Sequence, residues 1–313
     1  MKVSELFDQQ ADNRSFVKHT MLPSTCMVGV EVELEGARSV PSDATYWEVV
    51  DDPSLRNSGV EIRMRQPLCG QDYVSAMREL ATIIQVLGDP VCSDRTSVHV
   101  HMDCRALSTD QVMRIVVAYA ICEAGLFTVC GKSRYENIYC PGLTSSYTQV
   151  EELARLYSLR NAGRFPFTER VMEYSKYSSV NLNALATQGS IEFRGHEGTT
   201  SAVRITGWVM LLMSLREYAL TISSEDMLTE AEQLGPTAFA ARVFGKRAPA
   251  VLDKDNWARY FHTNLMNAKD IVYKEQWREM PRNYSTTEKV STGDASAEQV
   301  LDAVREYIAS LED

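Results

Sequence analysis

The chain has 313 residues, of which 44% are hydrophobic and 24% are charged, and its formal net charge is −10. This composition excludes disorder over most of the chain, and the length fits one large domain or two. The acidic charge argues against a protein that coats nucleic acid, and it suits one that gathers carboxylates around a divalent metal.

Alternation and helical periodicity predict strands and helices over the first 222 residues, after a polar lead-in at 1–26. Ser108 and Gln111 form a capping-box pattern in front of the longest helix. In chain order, the pattern predicts strands at 27–34, 46–50 and 60–65, a helix at 72–87, a strand at 97–103, helices at 109–129 and 149–159, strands at 180–185 and 190–196, and a helix at 202–222.

The chain changes character near residue 223, which predicts a main domain at 27–222 and a helical C-terminal extension at 223–313. A polar linker is expected near 283–296, and Ser296 with Gln299 then caps a final amphipathic helix. Strands and helices are mixed without a regular βαβ alternation. The predicted fold class is therefore α+β, with a curved, mainly antiparallel sheet flanked by helices.

Seven cysteines occur without a Cys-x-x-Cys pair. A disulfide scaffold and a structural zinc site are therefore not expected, whereas reduced thiols in a cytoplasmic protein are. Residues 1–26 hold no apolar run of the kind a signal peptide needs, and the apolar stretch at 205–215 is too short to span a bilayer. No membrane insertion is predicted.

Four predicted strands share one property. Side chains two residues apart in a strand point to the same face, and each of these strands has one apolar face and one face of acids, histidines or arginines. The second faces carry Glu31, Glu33 and Glu35; Glu61, Arg63 and Arg65; His99, His101 and Asp103; and Glu192, Arg194 and His196.

A solvated outer face is the ordinary interpretation of any one such strand. These faces contain no lysine, however, and glutamates crowded on one face repel each other unless a counter-charge is present. Mg2+ supplies that charge through carboxylate oxygens and substrate phosphates, and Arg194 and Arg63 could clamp phosphate oxygens. His99 and His101 alone could equally be a zinc site or packed histidines.

Familiar nucleotide and hydrolase signatures are missing from the sequence. It has no Gly-x-x-x-x-Gly-Lys-Ser/Thr loop, no Gly-x-Gly-x-x-Gly after a strand and no Gly-x-Ser-x-Gly. ATP, if it binds, therefore does so without a Walker loop or a Rossmann turn. Cys122 and Cys130 lie in an apolar helix and are interpreted as core thiols.

Six motifs follow one another along the chain, at 29–33, 59–67, 98–103, 133–140, 180–183 and 190–199. In this order they resemble the amidoligase branch of the glutamine synthetase-like carboxylate–amine ligases. The resemblance extends over about residues 27–220. Two departures occur: Ser97 stands where the family often has glycine, and 63–66 is more basic than the family pattern.

This resemblance implies a curved antiparallel sheet that forms a funnel, with ATP entering at one end. It makes 27–222 a glutamine synthetase-like catalytic domain and assigns the site residues by analogy. The implied metal ligands are Glu31, Glu33, Glu61, His99 and Glu192. The implied ATP-binding residues are His101, Arg194, Asn183 and Arg63. The implied catalytic residues are Arg194, Glu192 and Glu33, and the implied substrate-facing residues are Asp52, Ser54 and Arg134.

The resulting hypothesis is an ATP- and Mg2+-dependent ligase, with Mn2+ as an alternative metal, that forms an amide through an acyl phosphate. Its expected partners are a small-molecule or peptide carboxylate and an amine, without nucleic acid or membrane, and the oligomeric state stays open. Three alternatives remain: an inactive binding protein on the same fold, a kinase on that fold, and a hydrolytic zinc enzyme.

Overall fold

The computed structural model describes residues 1–10, 23, 25–37, 43–131, 134, 137–252 and 257–279. The chain divides into a compact unit, Met1–Glu275, and a second unit, Gln276–Asp313. The predicted linker at 283–296 and the final helix lie outside the described residues, as do residues 11–22 and 24 of the predicted lead-in.

Six strands form one open antiparallel sheet in the order β2-β3-β1-β4-β6-β5. The predicted α+β class with an antiparallel sheet is confirmed. The order places the four strands with charged faces side by side, because β3, β1, β4 and β6 are consecutive neighbours. The strands are β1 (Val28–Leu34), β2 (Trp47–Asp51), β3 (Val60–Met64), β4 (Ser97–Asp103), β5 (Val180–Asn181) and β6 (Ser190–Glu197).

Helices surround this sheet. The described residues form α1 (Val3–Leu6), α2 (Gly70–Leu87), α3 (Thr109–Cys130), α4 (Tyr147–Leu159), α5 (Arg164–Glu173), α6 (Ala184–Thr187), α7 (Ala202–Ala219), α8 (Ser224–Phe244), α9 (Ala248–Val251) and α10 (Trp257–Glu279). The capping box before α3 is confirmed, since Ser108 Oγ accepts from Gln111 N and Gln111 Oε1 accepts from Ser108 N. α8 is interrupted at Gly235, which has a φ of 67° and is followed by Pro236.

One predicted strand was wrong over most of its length. Residues 180–185 form a strand only at Val180–Asn181, and α6 follows at Ala184–Thr187. The Asn181 side chain explains the break, because its Oδ1 accepts a hydrogen bond from Asn183 N at 2.9 Å. Such an asparagine turn competes with continued strand pairing.

The apolar face of the sheet packs against helices. Val28, Val30 and Val32 of β1 are fully buried, and α3 packs on both β6 and α7. Within the described part of the chain, α3 is the helix long and apolar enough to cross a membrane, but 83% of its most apolar stretch is buried in the protein. Burial of this kind is what a core helix of a globular domain shows. The opposite face of the sheet carries the charged side chains.

Candidate active site

Strand register brings the predicted side chains onto one face. Glu31 lies opposite Arg63 on β3 and opposite His99 on β4, while Glu33 lies opposite Glu61. Directly opposed residues in antiparallel strands point to the same side of the sheet. The third glutamate of the first stripe, Glu35, lies past the end of β1 and is 5% exposed, and its carboxylate accepts from Arg56 N instead.

A β-bulge divides β6. Val100 pairs with Phe193 and Val98 with His196, so that β6 has one more residue than β4 between these pairs. The extra residue reverses the alternation, and His196 turns to the helix-covered face with Val98. The sequence prediction that His196 shares a face with Glu192 is therefore wrong.

His196 is instead a core residue. It is 1% exposed, its ring centroid lies 5.7 Å from that of Trp208, and its Nδ1 donates to the Glu197 carbonyl at 2.7 Å. Burial lowers the pKa of His196 to about 4, so the ring is neutral at physiological pH.

His99 lies at the centre of the charged face and is 4% exposed. Its Nδ1 lies 3.2 Å from Glu31 Oε2 and 3.4 Å from Glu192 Oε1. Its Nε2 lies 2.7 Å from Ser97 Oγ and 3.8 Å from Glu33 Oε1. Ser97 in turn donates to Glu33 Oε2 at 2.5 Å, so one imidazole links three carboxylates from the two strands that flank β4.

Two carboxylates and an imidazole form a first group of candidate metal ligands. Single ligand atoms of Glu31, His101 and Glu192 all lie within 4.8 Å of one another. Burial by itself would raise the pKa values of both carboxyls, but the two histidines outweigh it at Glu31. At Glu192 the pKa is also lowered, by His99 and Arg194. Both carboxylates are therefore ionised at neutral pH.

Other polar side chains position this first group. His101 Nδ1 lies 3.0 Å from Ser190 Oγ, and Asn181 Nδ2 donates to Glu192 Oε2 at 2.6 Å. Arg194 forms an ion pair with Glu192. The sequence analysis did not select Ser190 or Asn181 as site residues. The sequence did contain a signal for Asn181, because it alternates with Asn183 in the motif at 180–183.

Three carboxylates form a second group, consisting of Glu33, Asp52 and Glu61, again with ligand atoms within 4.8 Å. Burial and the neighbouring charges of Glu31 and Glu33 raise the pKa of Glu61 to about 7. Crowding of like charges has this effect, and a bound cation would relieve it. Asp52 thus lies among the predicted metal ligands, although the resemblance placed it near the substrate.

The charged face opens into a cavity at each end. The cavity at the His101 end measures about 410 Å³ and is lined by Glu31, His101 and Arg63. The cavity at the Glu33 end measures about 250 Å³; among the predicted site residues it is lined by Glu33, Ser54, Arg134 and Arg194. Of the four predicted ATP-binding residues, His101 and Arg63 therefore lie at the cavity of about 410 Å³ and Arg194 lies at the smaller one.

Asn183 and Arg63 differ in how well they fit the predicted roles. Asn183 precedes α6 and lines neither cavity. The Arg63 side chain is 45% exposed and lies 3.0 Å from Glu48 and 3.7 Å from Glu61. It is therefore near the carboxylates and also free to reach a ligand.

A larger cavity lies away from this chemistry. It measures about 760 Å³ and is lined mainly by α7, including Trp208 and Met210, with Lys246 and Arg247 at one side. It is mostly apolar and contains none of the clustered carboxylates. Size alone therefore does not identify the site.

A family model described as "Putative amidoligase enzyme" matches residues 39–216, which is more than half of the chain. The matched span includes β2, β3, β4, β5 and β6 but begins after β1, so that Glu31 and Glu33 lie outside it. No curated protein matches the sequence.

Proposed function

Because the chain belongs to this amidoligase family, we propose that it is an ATP- and Mg2+-dependent ligase that joins a carboxylate to an amine through an acyl phosphate. One observation supports this most strongly. Carboxylates from β1 and β6 converge on His99, Glu61 of β3 and Asp52 join Glu33 in an adjacent group, and a cavity lies at each end of the same face. Two reactants can then meet over the charged face from opposite ends.

The donor set fits divalent cations. Glu31, His101 and Glu192 would hold one ion, and Glu33, Asp52 and Glu61 a second, with water and phosphate oxygens as further ligands. Mg2+ favours such oxygen-rich sets, and the histidine also permits Mn2+. When bound, these ions would offset the charge of the phosphate oxygens.

In the proposed reaction, an oxygen of the substrate carboxylate attacks the γ-phosphorus of ATP, and the bond from that phosphorus to the ADP oxygen breaks. The nitrogen of the amine then attacks the acyl carbon, phosphate leaves and the amine loses a proton. Arg194 supports this assignment, since it adjoins Glu192 and its Nε has no hydrogen-bond partner among the described residues. It would hold phosphate oxygens in fixed positions.

The remaining assignments follow from the two cavities. We place the nucleotide in the cavity of about 410 Å³ beside His101 and Arg63. We place the carboxylate substrate in the cavity of about 250 Å³ beside Ser54 and Arg134. The partners would be a small molecule or a peptide with a carboxylate, and an amine. The proposed location is the cytoplasm.

The test is ATP turnover with Mg2+ or Mn2+, in the presence of pooled amino acids, dicarboxylic acids and amines. Products separate the candidates, because a ligase yields an amide with ADP and phosphate whereas a kinase yields a phosphorylated product. The variant Glu33→Gln should lose turnover by a factor of about 100 or more, since it removes a ligand charge. Glu169→Gln, on the exposed surface of α5, is the matched control and should retain turnover.

The proposal fails if the wild type turns over no ATP and binds none in the presence of either metal. It also fails if ATP hydrolysis is unchanged in Glu33→Gln. Metal-dependent ATP binding that Glu33→Gln abolishes would support the site, with the substrate still to be found.

A further inference from the structure

The smaller cavity, at the Glu33 end of the sheet, has a cationic wall. Arg95, Arg134, Lys176 and Arg194 line it, and Glu33 is its carboxylate. This excess of positive charge is notable in a protein whose formal net charge is −10. Arg95 and Lys176 belong to no motif that the sequence analysis selected.

Three guanidinium N–H groups of this wall are buried without a partner. Arg95 Nε, Arg134 Nη1 and Arg194 Nε have no hydrogen-bond partner among the residues that the structure describes. Arg134 is 1% exposed, and its guanidinium donates to the backbone carbonyls of Arg194 and Gly195. A buried cation left without a counter-charge is costly, so a ligand that supplies acceptor oxygens would relieve this site.

Among the residues that the structure describes, the groups next to Arg95 and Arg134 carry no balancing negative charge. Arg95 Nη2 donates to the Ser54 carbonyl at 2.7 Å, and its guanidinium lies 5.6 Å from the ring centre of Tyr139. The Cys140 thiol, near Arg134, stays neutral because burial raises its pKa. Arg194 has Glu192 as its counter-charge, whereas ring contacts and carbonyls position Arg95 and Arg134 without balancing their charge.

We infer that this cavity binds a second anionic group of the substrate, so that the carboxylate substrate is a diacid. One acid group would lie on the cationic wall beside Arg95 and Arg134, and the other beside Glu33, where the proposed reaction takes place. This inference rests on the proposed function, because the acid group beside Glu33 is taken to be the one that reacts. Planar guanidinium groups match carboxylate oxygens in geometry.

The size of the cavity favours a small diacid over a nucleotide. Its volume is about 250 Å³, whereas pockets for drug-sized ligands measure about 300–1,000 Å³. The cavity of about 410 Å³ at the His101 end of the face is a separate site in which the nucleotide can bind. Phosphate is the competing source of anionic oxygens, and the experiment must separate it from carboxylate.

The experiment compares glutarate with valerate, which has the same chain length and one carboxylate, by calorimetric titration in Mg2+. ATP is titrated separately. Wild type should bind glutarate at least about tenfold more tightly than valerate, because hydrogen bonds to charged groups carry that discrimination. Arg95→Gln should weaken glutarate binding about 10- to 100-fold and change ATP binding by less than about twofold.

Two further variants keep the result interpretable. Lys176→Gln is at an exposed position, so it tests the cationic wall without disturbing packing, and it should also weaken glutarate binding. Arg170→Gln removes a partly exposed arginine that pairs with Glu173 on α5, away from the cavity, and should leave glutarate binding unchanged.

Equal binding of glutarate and valerate would overturn the inference, and so would an equal loss of ATP affinity in Arg95→Gln, which would indicate a phosphate site. The two proposals fail separately. Glutarate selectivity that Arg95→Gln abolishes, without any ATP turnover, supports the diacid site and not the ligase. Turnover with monoacids that is unaffected by Arg95→Gln supports the ligase and not the diacid site.

Discussion

Replacing His196 with glutamine should remove a pH dependence from the stability of the protein. The ring is buried between β6 and α7, and its Nδ1 donates to the Glu197 carbonyl. Burial is the main cause that lowers the pKa of this ring, and the positive charges of Arg204 and Arg134 lower it further. Glu197 acts in the opposite direction but does not outweigh them. The glutamine amide can still donate a hydrogen bond and cannot titrate.

The sign and size follow from the pKa. Burial lowers the pKa of His196 from 6.5 in an ordinary environment to about 4, so between these values the unfolded chain binds the proton more tightly. Stability from this group is therefore complete above pH 6.5 and is lost as pH falls toward 4. One proton is worth about 1.4 kcal/mol per pH unit, so between pH 7 and pH 5 the loss is about 2 kcal/mol.

Urea unfolding at pH 7 and pH 5 measures this directly. The difference in free energy of unfolding between wild type and His196→Gln should shift by about 2 kcal/mol between these pH values, with the wild type losing more at pH 5. Comparison with the variant cancels the titration of all other groups. His262→Gln, at an exposed position on α10, is the matched control for the loss of a histidine. A pH-independent difference for His196→Gln would refute the assignment of a buried neutral histidine.

Three further changes test the packing and the site. Gly125→Ala would place a Cβ 2.5 Å from Trp257 Cε3 and should destabilise the protein by about 1–3 kcal/mol in urea unfolding, whereas Gly207→Ala, with open space around it, should be neutral or stabilise by up to about 1 kcal/mol. Equal effects would contradict the packing of α10 on α3. Glu123→Gln should cost about 1–3 kcal/mol in the same assay, because the buried carboxylate accepts from four donors and an amide cannot. Ser97→Ala should weaken Mn2+ binding about 10- to 100-fold in a metal titration, since it removes the hydroxyl that links Glu33 and His99, and unchanged affinity would refute this supporting role.

Much of the fold could be predicted because its signals are local. Alternation located β1 and β4 within a residue, and the capping box of Ser108 and Gln111 fixed the start of α3. The same reasoning failed at 180–185, where the Asn181 side chain ends the strand through a bond to Asn183. That competition between side chain and backbone depends on local geometry that a periodicity does not contain.

The site could be predicted only as far as strands stay regular. Period-two alternation placed Glu31, His99 and Glu192 on one face, as the register shows. It misplaced His196, because a single extra residue in β6 reverses every side chain beyond it, and the bulge depends on pairing with β4. The grouping of Asp52 with Glu33 could not be derived either. Asp52 directly follows β2, and its place depends on the pairing of β2 with β3, which alternation within one strand does not show.

Burial decides between the two interpretations of the charged stripes. A solvated outer face predicts exposed, separated charges, but His99 is 4% exposed, His101 7% and Glu192 5%. Carboxylates and imidazoles kept from water must compensate one another or a ligand. His99 contacts three carboxylates, and burial together with the charges of Glu31 and Glu33 raises the pKa of Glu61 to about 7. Negative charge is therefore concentrated in the group of Glu33, Asp52 and Glu61, and a divalent cation would balance the charge of that group.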